Sequence, residues 1–313
     1  MSKTLSIYFR RCRFLPLQLM MVVLVVVGYL TLNSRLLKST EKENWHRREE
    51  ELKKFDGREI DLNYIRSIAV VDFKISQFTD PMIAEMNETE LMAHVHSYLD
   101  NIDTICKRKL RMGYVGDGGW EICDDSGIRP KQHDCLVYSF GVVNEFSFED
   151  DVSRLYDCEV HSFNPLASGD DYNRSKKIQA HSFSIGRNSE ISEDGKELYT
   201  LPDIRTILHH SKNNIDVMKM DIEGAEWPAL AGMLQFDELS QVKQLLVEFH
   251  LGPPPNIDRL RRALKVLKDI GRAGLRKFYA TKNPRGSFHH PGFPVMRARN
   301  YEIHFLNTKF LNK

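Results

Sequence analysis

Residues 136–141 read Leu136-Val137-Tyr138-Ser139-Phe140-Gly141, and the pattern returns as Val160-His161-Ser162-Phe163-Asn164 and as Ala180-His181-Ser182-Phe183-Ser184. Each is a short run of β-formers ending in Ser-Phe and a small or polar residue. The three serines stand 23 and 20 residues apart. A gap of that size holds one strand, a crossover helix and the next strand. The first crossover is legible: Phe148, Val152, Leu155 and Tyr156 share a helical face, with Ser147 as the expected N-cap and acids behind it. A fourth strand is expected at Ile215–Met220 and a fifth at Gln244–Phe249. The helix between them carries Pro228 near its first turn and Leu230, Met233 and Leu234 on one face. Leu260, Leu264, Leu267 and Ile270 mark a last amphipathic helix, and strands near residues 278–281 and 302–306 close the domain. Alternating strands and helices predict an α/β fold with a mostly parallel, doubly wound sheet covered on both faces. Ligands of such sheets bind beyond the carboxyl ends of the strands, where strand order reverses.

The residues at those ends are therefore the candidates. After the first strand, Gly141 permits a tight turn and close approach of a ligand. It is a single glycine, which argues against the G-x-G-x-x-G grip on a dinucleotide. After the second strand comes Asn164, where an acid would hold ribose hydroxyls more firmly. The fourth strand runs into Lys219-Met220-Asp221-Ile222-Glu223-Gly224-Ala225-Glu226-Trp227. Asp221 and Glu223 share a face if the chain stays extended. Gly224 allows the turn, and Glu226 suits a helix N-terminus. After the fifth strand, Glu248 and His250 again share a face, and histidine is the side chain best suited to proton transfer near neutral pH. Asp221, Glu223, Glu248 and His250 are thus the candidate catalytic set. His209-His210 and His289-His290 read as surface residues. His94 and His96 lie two apart on a helix and face different ways. No metal ligand set is assigned.

Around this core the chain of 313 residues balances 44 Lys+Arg against 43 Asp+Glu. That balance lacks the basic excess of a duplex-tracking protein, so no nucleic-acid partner is expected. A mean hydropathy of −0.41 excludes a multi-span membrane protein. One segment stands apart: residues 15–32 hold no charge and approach the length of a bilayer span. Basic residues flank it on both sides, with the tighter cluster at residues 3–13. The expectation is a single-pass type II membrane protein: a cytoplasmic tail (1–14), a signal-anchor helix (15–32), a charged stem (33–60), a helical pre-domain (61–112) and the main domain (113–313) in the endoplasmic reticulum or Golgi lumen. A cleaved signal peptide is the rival reading. Asn87-Glu88-Thr89 and Asn173-Arg174-Ser175 are N-glycosylation sequons. Asn87 with Glu90 also resembles a capping box. Cys106, Cys123, Cys135 and Cys158 lie beyond the apolar segment and allow two disulfides in three pairings, or four buried thiols.

Several of these segments resemble a known family. Met218 to Glu226 resembles the hallmark segment of FkbM-type S-adenosylmethionine-dependent methyltransferases. Gly116-Asp117-Gly118-Gly119-Trp120, Leu136 to Gly141 and Val247-Glu248-Phe249-His250 are similar to the animal methyltransferase-like branch of that family. The resemblance implies a Rossmann-like, seven-stranded sheet and S-adenosyl-L-methionine bound over the first two strands. It implies a cofactor loop at Ser139, Phe140 and Gly141, a ribose contact at Asn164, a helper in Glu145 and Asp221 near the methyl group. The sequence departs from the pattern where Ser139 and Asn164 replace acids and a second glycine is missing. O-methylation of a hydroxyl on a sugar, glycan or small molecule follows as the expected reaction. A metal-dependent type II glycosyltransferase and a catalytically silent binding relative are the alternatives.

Overall fold

In the computed structural model, the strands named above line up in one sheet. The structure describes residues 75–116, 118–166, 170–252, 256–283, 286–289 and 296–311. The expected tail, anchor and stem lie outside the described residues. Among the described residues no helix is long and apolar enough to cross a membrane. The chain divides into two units, Met1–Ile60 and Asp61–Lys313, and every described residue belongs to the second.

Seven strands make up most of the sheet: β1 (Leu136–Phe140), β2 (Glu159–Phe163), β3 (Ile178–His181), β4 (Ile215–Met220), β5 (Val242–His250), β6 (Leu275–Lys282) and β7 (Asn300–Asn307). Their order is β3-β2-β1-β4-β5-β7-β6, and a two-residue strand, Tyr172–Asn173, adds an eighth at the β3 edge. Strands β3 to β5 pair in parallel, while β7 runs antiparallel to both neighbours. The chain steps outward from β1 to β3, then returns to lay β4 on the other side of β1. Strand order therefore reverses between β1 and β4.

The helices are α1 (Asp80–Glu85), α2 (Glu88–Asp100), α3 (Ser147–Tyr156), α4 (Leu201–Ile207), α5 (Glu226–Gln235) and α6 (Ile257–Arg272). Strand β1 is buried along its whole length. Leu136, Tyr138 and Phe140 point into one core, which α2, α4, α5 and α6 close with Leu91, Ile204, Leu230 and Leu264. Val137 points into the opposite core, closed by Phe148 and Val152 of α3 and by Trp120 and Ile122 of a hairpin, Lys109–Met112 with Trp120–Cys123. Alternate side chains of a strand take opposite faces, so a strand apolar on both belongs inside two layers. The stripe on α6 is fully buried at Leu260, Leu264, Leu267 and Ile270. Each such side chain contributes about 1.5–3 kcal/mol of burial. Both halves of the capping box at the start of α2 are formed: Glu90 N–H donates to Asn87 Oδ1 at 3.0 Å and Asn87 N–H to Glu90 Oε2 at 2.9 Å.

Several expectations change. No helix lies among the described residues between β2 and β3; that polar segment, residues 164–177, has no apolar periodicity to bury. The third Ser-Phe segment is not one strand: β3 ends at His181, and Ser184–Ile185 joins a small separate sheet. Ser147 is the first helical residue of α3 and Phe146 is the N-cap. The Ser147 hydroxyl instead accepts from Tyr114 N–H at 3.1 Å. Helix α4 escaped the sequence reading although Thr200 caps it and Pro202 and Asp203 occupy its first turn. The boundary drawn between residues 112 and 113 falls in the turn of the hairpin, and α2 packs into the same core as the sheet. Of the three cysteine pairings, the one formed is Cys106–Cys123 with Cys135–Cys158, at sequence separations of 17 and 23. Loops of that length restrict the unfolded chain by about 3 kcal/mol each.

Candidate active site

Two turns meet where strand order reverses. Gly141 leaves β1 with φ +95°, and a Cβ there would lie 1.7 Å from Asp221 O. Only glycine lets the two backbones touch. Asp221 N–H donates to Phe140 O and Gly141 N–H to Phe163 O, both at 3.0 Å, so the ends of β4, β1 and β2 are tied together.

With Asp221 the chain assembles four carboxylates and one imidazole here. Glu226, wholly buried in the first turn of α5, accepts from His250 N–H at 2.6 Å through Oε1 and from Gly224 N–H at 2.7 Å through Oε2. Its Oε1 also lies 3.4 Å from His250 Nδ1. Trp227 Nε1–H donates to His250 O at 2.8 Å, holding the residue from the other side. His250 Nε2 faces Asp221 Oδ1 at 3.8 Å and Glu223 Oε2 at 3.6 Å. Glu248 is buried beside them and accepts from Asn283 Nδ2 at 3.2 Å. Asp221, Glu248 and His250 each bring a ligating atom to within 4.8 Å of the others. Glu223 reaches back from an 88% exposed position with φ +54°. A left-handed glutamate costs roughly 1–2 kcal/mol, and such strain collects at functional turns.

Protonation follows from this packing. Burial raises the Asp221 carboxyl above the ordinary carboxylate range, against the pull of Lys219 and His250. Burial raises Glu248 as well, reinforced by the charge of Asp221. Burial opposes a charge on His250, but the Glu226 bond and the charges of Glu226, Glu248 and Asp221 outweigh it and raise its pKa to about 9. His250 is therefore an imidazolium at neutral pH and donates protons. Asp221, one of the carboxyls facing the ring, is one-third exposed.

The expected cofactor residues divide. Ser139 is fully buried in mid-strand, where its hydroxyl donates to Glu149 Oε1 at 2.5 Å. Lys219 Nζ lies 3.8 Å from the same oxygen. Phe140 stacks on Phe163 at 4.5 Å between ring centres. Both side chains are committed to the cores and neither is exposed at the turn. Glu145 Oε1 accepts from Ser147 N–H at 2.6 Å and anchors the start of α3. Asn164 Oδ1 accepts from Leu166 N–H at 2.9 Å. Asn164 also lines, with Val142, Phe146 and Ser182, a cavity of about 30 Å³ past the ends of β1 to β3. The sequence reading missed the grip of Glu226 on His250 and the Glu149–Lys219 pair. The one signal for the second was Lys219, a charged residue whose neighbours in β4, Met218 and Met220, are apolar.

A sheet whose order reverses in this way is that of an α/β protein, a class whose ligands bind at the reversal. The methyltransferase-domain family matches residues 56–290, and the chain belongs to that family. It is 28% identical over 209 residues to a rat protein named "Probable methyltransferase-like protein 24", covering 60% of this chain and 56% of the relative. It is also 28% identical over 181 residues to the human protein of that name, covering 52% and 48% respectively. The chain thus spans about half the length of these curated relatives. No solved structure matches it.

Proposed function

We propose that the chain is an S-adenosyl-L-methionine-dependent O-methyltransferase with the seven-stranded Rossmann-like architecture of its class. Its acceptor is a hydroxyl on a sugar, glycan or small molecule in the secretory pathway, and a single span at residues 15–32 holds it to the membrane. The contact of the Gly141 turn with Asp221 carries this reading, because it sets an acidic cluster at the reversal of strand order. The family match favours it over a glycosyltransferase. Asp221, Glu223 and Glu248 offer the negative surroundings that a sulfonium needs, and Asn164 and Ser182 offer polar contacts at the β2 and β3 ends. The cavity there, about 30 Å³, is far below the roughly 300 Å³ of a small-molecule pocket. Entry of a nucleoside therefore requires residues 142–146 to draw back from β3.

When bound, the cofactor supplies an electrophilic methyl group on a sulfonium. The chain's own part is positional and protonic. Asp221 accepts the proton of the acceptor hydroxyl. Glu226 and Trp227 fix His250, whose imidazolium steadies the Asp221 carboxylate. Two disulfides suit an oxidising lumen. The Asn87 sequon coincides with the cap of α2, whose Oδ1 accepts from Glu90 N–H. The test is calorimetric titration of the purified full chain with S-adenosylmethionine and S-adenosylhomocysteine, beside Asp221→Ala. Saturable heat that weakens at least tenfold in the variant is expected. Absence of heat at millimolar ligand would leave a silent binding relative.

A further inference from the structure

At the opposite, amino end of the sheet the chain gathers a second cluster that methyl transfer does not use. Glu159 opens β2, His161 follows two residues on, and His210 arrives on the loop between α4 and β4. The three bring one ligating atom each to within 4.8 Å of one another. His161 Nε2 lies 3.0 Å and His210 Nε2 3.5 Å from Glu159 Oε1. Ligands on a tetrahedral zinc, with bonds near 2.0 Å, stand about 3.3 Å apart. The observed spacings bracket that value.

The other nitrogen of each ring is already held. His161 Nδ1 lies 2.9 Å from His181 Nε2, and His181 Nδ1 lies 2.6 Å from Asp171 Oδ2. His210 Nδ1 lies 2.8 Å from Tyr138 Oη. Metal-bound imidazoles are oriented in this way, the far N–H donated to a fixed acceptor so that the near nitrogen's lone pair faces the ion. One consistent proton pattern follows: Nδ1–H of His161 to His181, and Nδ1–H of His181 to Asp171. Both histidine ligands are buried, while the Glu159 side chain is 50% exposed. Glu159 borders a cavity of about 440 Å³ shared with Lys177, Lys212 and Asn213, so the group is open to solvent on its carboxylate side.

The other ligating clusters among the described residues are less available. Glu121 of the Glu121–Glu302–His304 group is paired with Arg111 at 2.6 Å. Cys106 and Cys123 are joined to each other. Asp221, Glu248 and His250 belong to the site already described.

We propose that Glu159, His161 and His210 bind one divalent transition-metal ion of the zinc class, with Asp171 and His181 orienting the His161 ligand. Two imidazoles and one carboxylate favour zinc or cobalt over calcium or magnesium, which prefer all-oxygen ligands. The test uses the purified full chain, stripped with a chelator and titrated with zinc by calorimetry and with cobalt by visible absorption. One equivalent should bind, with cobalt bands that zinc abolishes. Glu159→Gln should weaken zinc at least tenfold while the metal-free variant keeps its fold by circular dichroism. Asp171→Asn leaves the three ligands in place and should weaken zinc severalfold through His181, whereas Asp221→Asn should leave the affinity unchanged. Absence of stoichiometric binding overturns the proposal. So does binding that Asp221→Asn removes, or binding indifferent to both Glu159→Gln and Asp171→Asn.

Discussion

Gly141→Ala tests the contact on which the ligand site depends. The backbone there has φ +95°. An L-residue held at positive φ costs roughly 1–2 kcal/mol. The new methyl carbon would also lie 1.7 Å from Asp221 O and 2.7 Å from Asp221 C. Those atoms are backbone at the end of a buried strand and cannot swing aside, so overpacking adds about 1–3 kcal/mol. The total, about 2–5 kcal/mol, is a large part of the 5–15 kcal/mol that holds a typical domain together. Gly195→Ala separates the two contributions. Gly195 also has positive φ, at +80°, but nothing lies within 4 Å of its added carbon. It should show the backbone cost alone. Urea unfolding of both variants measures the difference directly, and each kcal/mol also moves the melting temperature by roughly 2–4 °C in a domain of this size. If Gly141→Ala proves no less stable than Gly195→Ala, the β1 and β4 turns are not in contact and the site as described does not exist.

Two further outcomes follow from buried charges. His250 holds its proton up to about pH 9 in the folded chain against an ordinary 6.5. A pKa raised by folding gives stability that is complete below the lower value and lost as pH rises through the higher one. Tenfold in proton affinity is worth about 1.4 kcal/mol, so up to about 3 kcal/mol should disappear between pH 6.5 and 9. Urea unfolding across that range should show the fall in the parent chain and a much flatter course in His250→Gln; parallel courses would reject the assignment. Glu149 lies beside Lys219 in a sealed core with Ser139. Glu149→Ala leaves that ammonium unpaired and should cost about 3–5 kcal/mol, whereas Ser139→Ala should cost about 1 kcal/mol. Equal losses by the same unfolding assay would mean that the lysine finds another partner.

What the sequence made legible was whatever local period determines. The six-residue strand ending at Met220, the stripe on α6 and the capping box before α2 each follow from neighbours within a turn or a pleat. The missing helix after β2 shows the limit. Spacing between the Ser-Phe motifs allowed a crossover helix, but residues 164–177 lack an apolar face to bury. His210 shows it again: a histidine pair in a polar loop looks like surface, yet Tyr138, 72 residues away, takes His210 into the core. The family resemblance implies Ser139 as part of the cofactor loop. The pleat turns it toward Glu149 instead. Contacts across the sheet decide these cases, and no local pattern encodes them.

The charge of the reversal site depends on one such contact. Glu226 could be read only as an acid suited to a helix start. In the fold it is fully buried and spans from Gly224 N–H to His250 N–H, so its charge must be met inside the protein. Burying a carboxylate without a partner costs several kcal/mol, and the His250 ring lies 3.4 Å from it. The imidazolium is thus shared between Glu226 and Asp221, and with Lys219 it supplies fewer positive charges than the four carboxylates gathered there among the described residues. A site in that condition favours a positively charged ligand and repels an anionic one. The same balance holds the proton on His250. Removing its proton would strand Glu226 and bring no relief to Asp221.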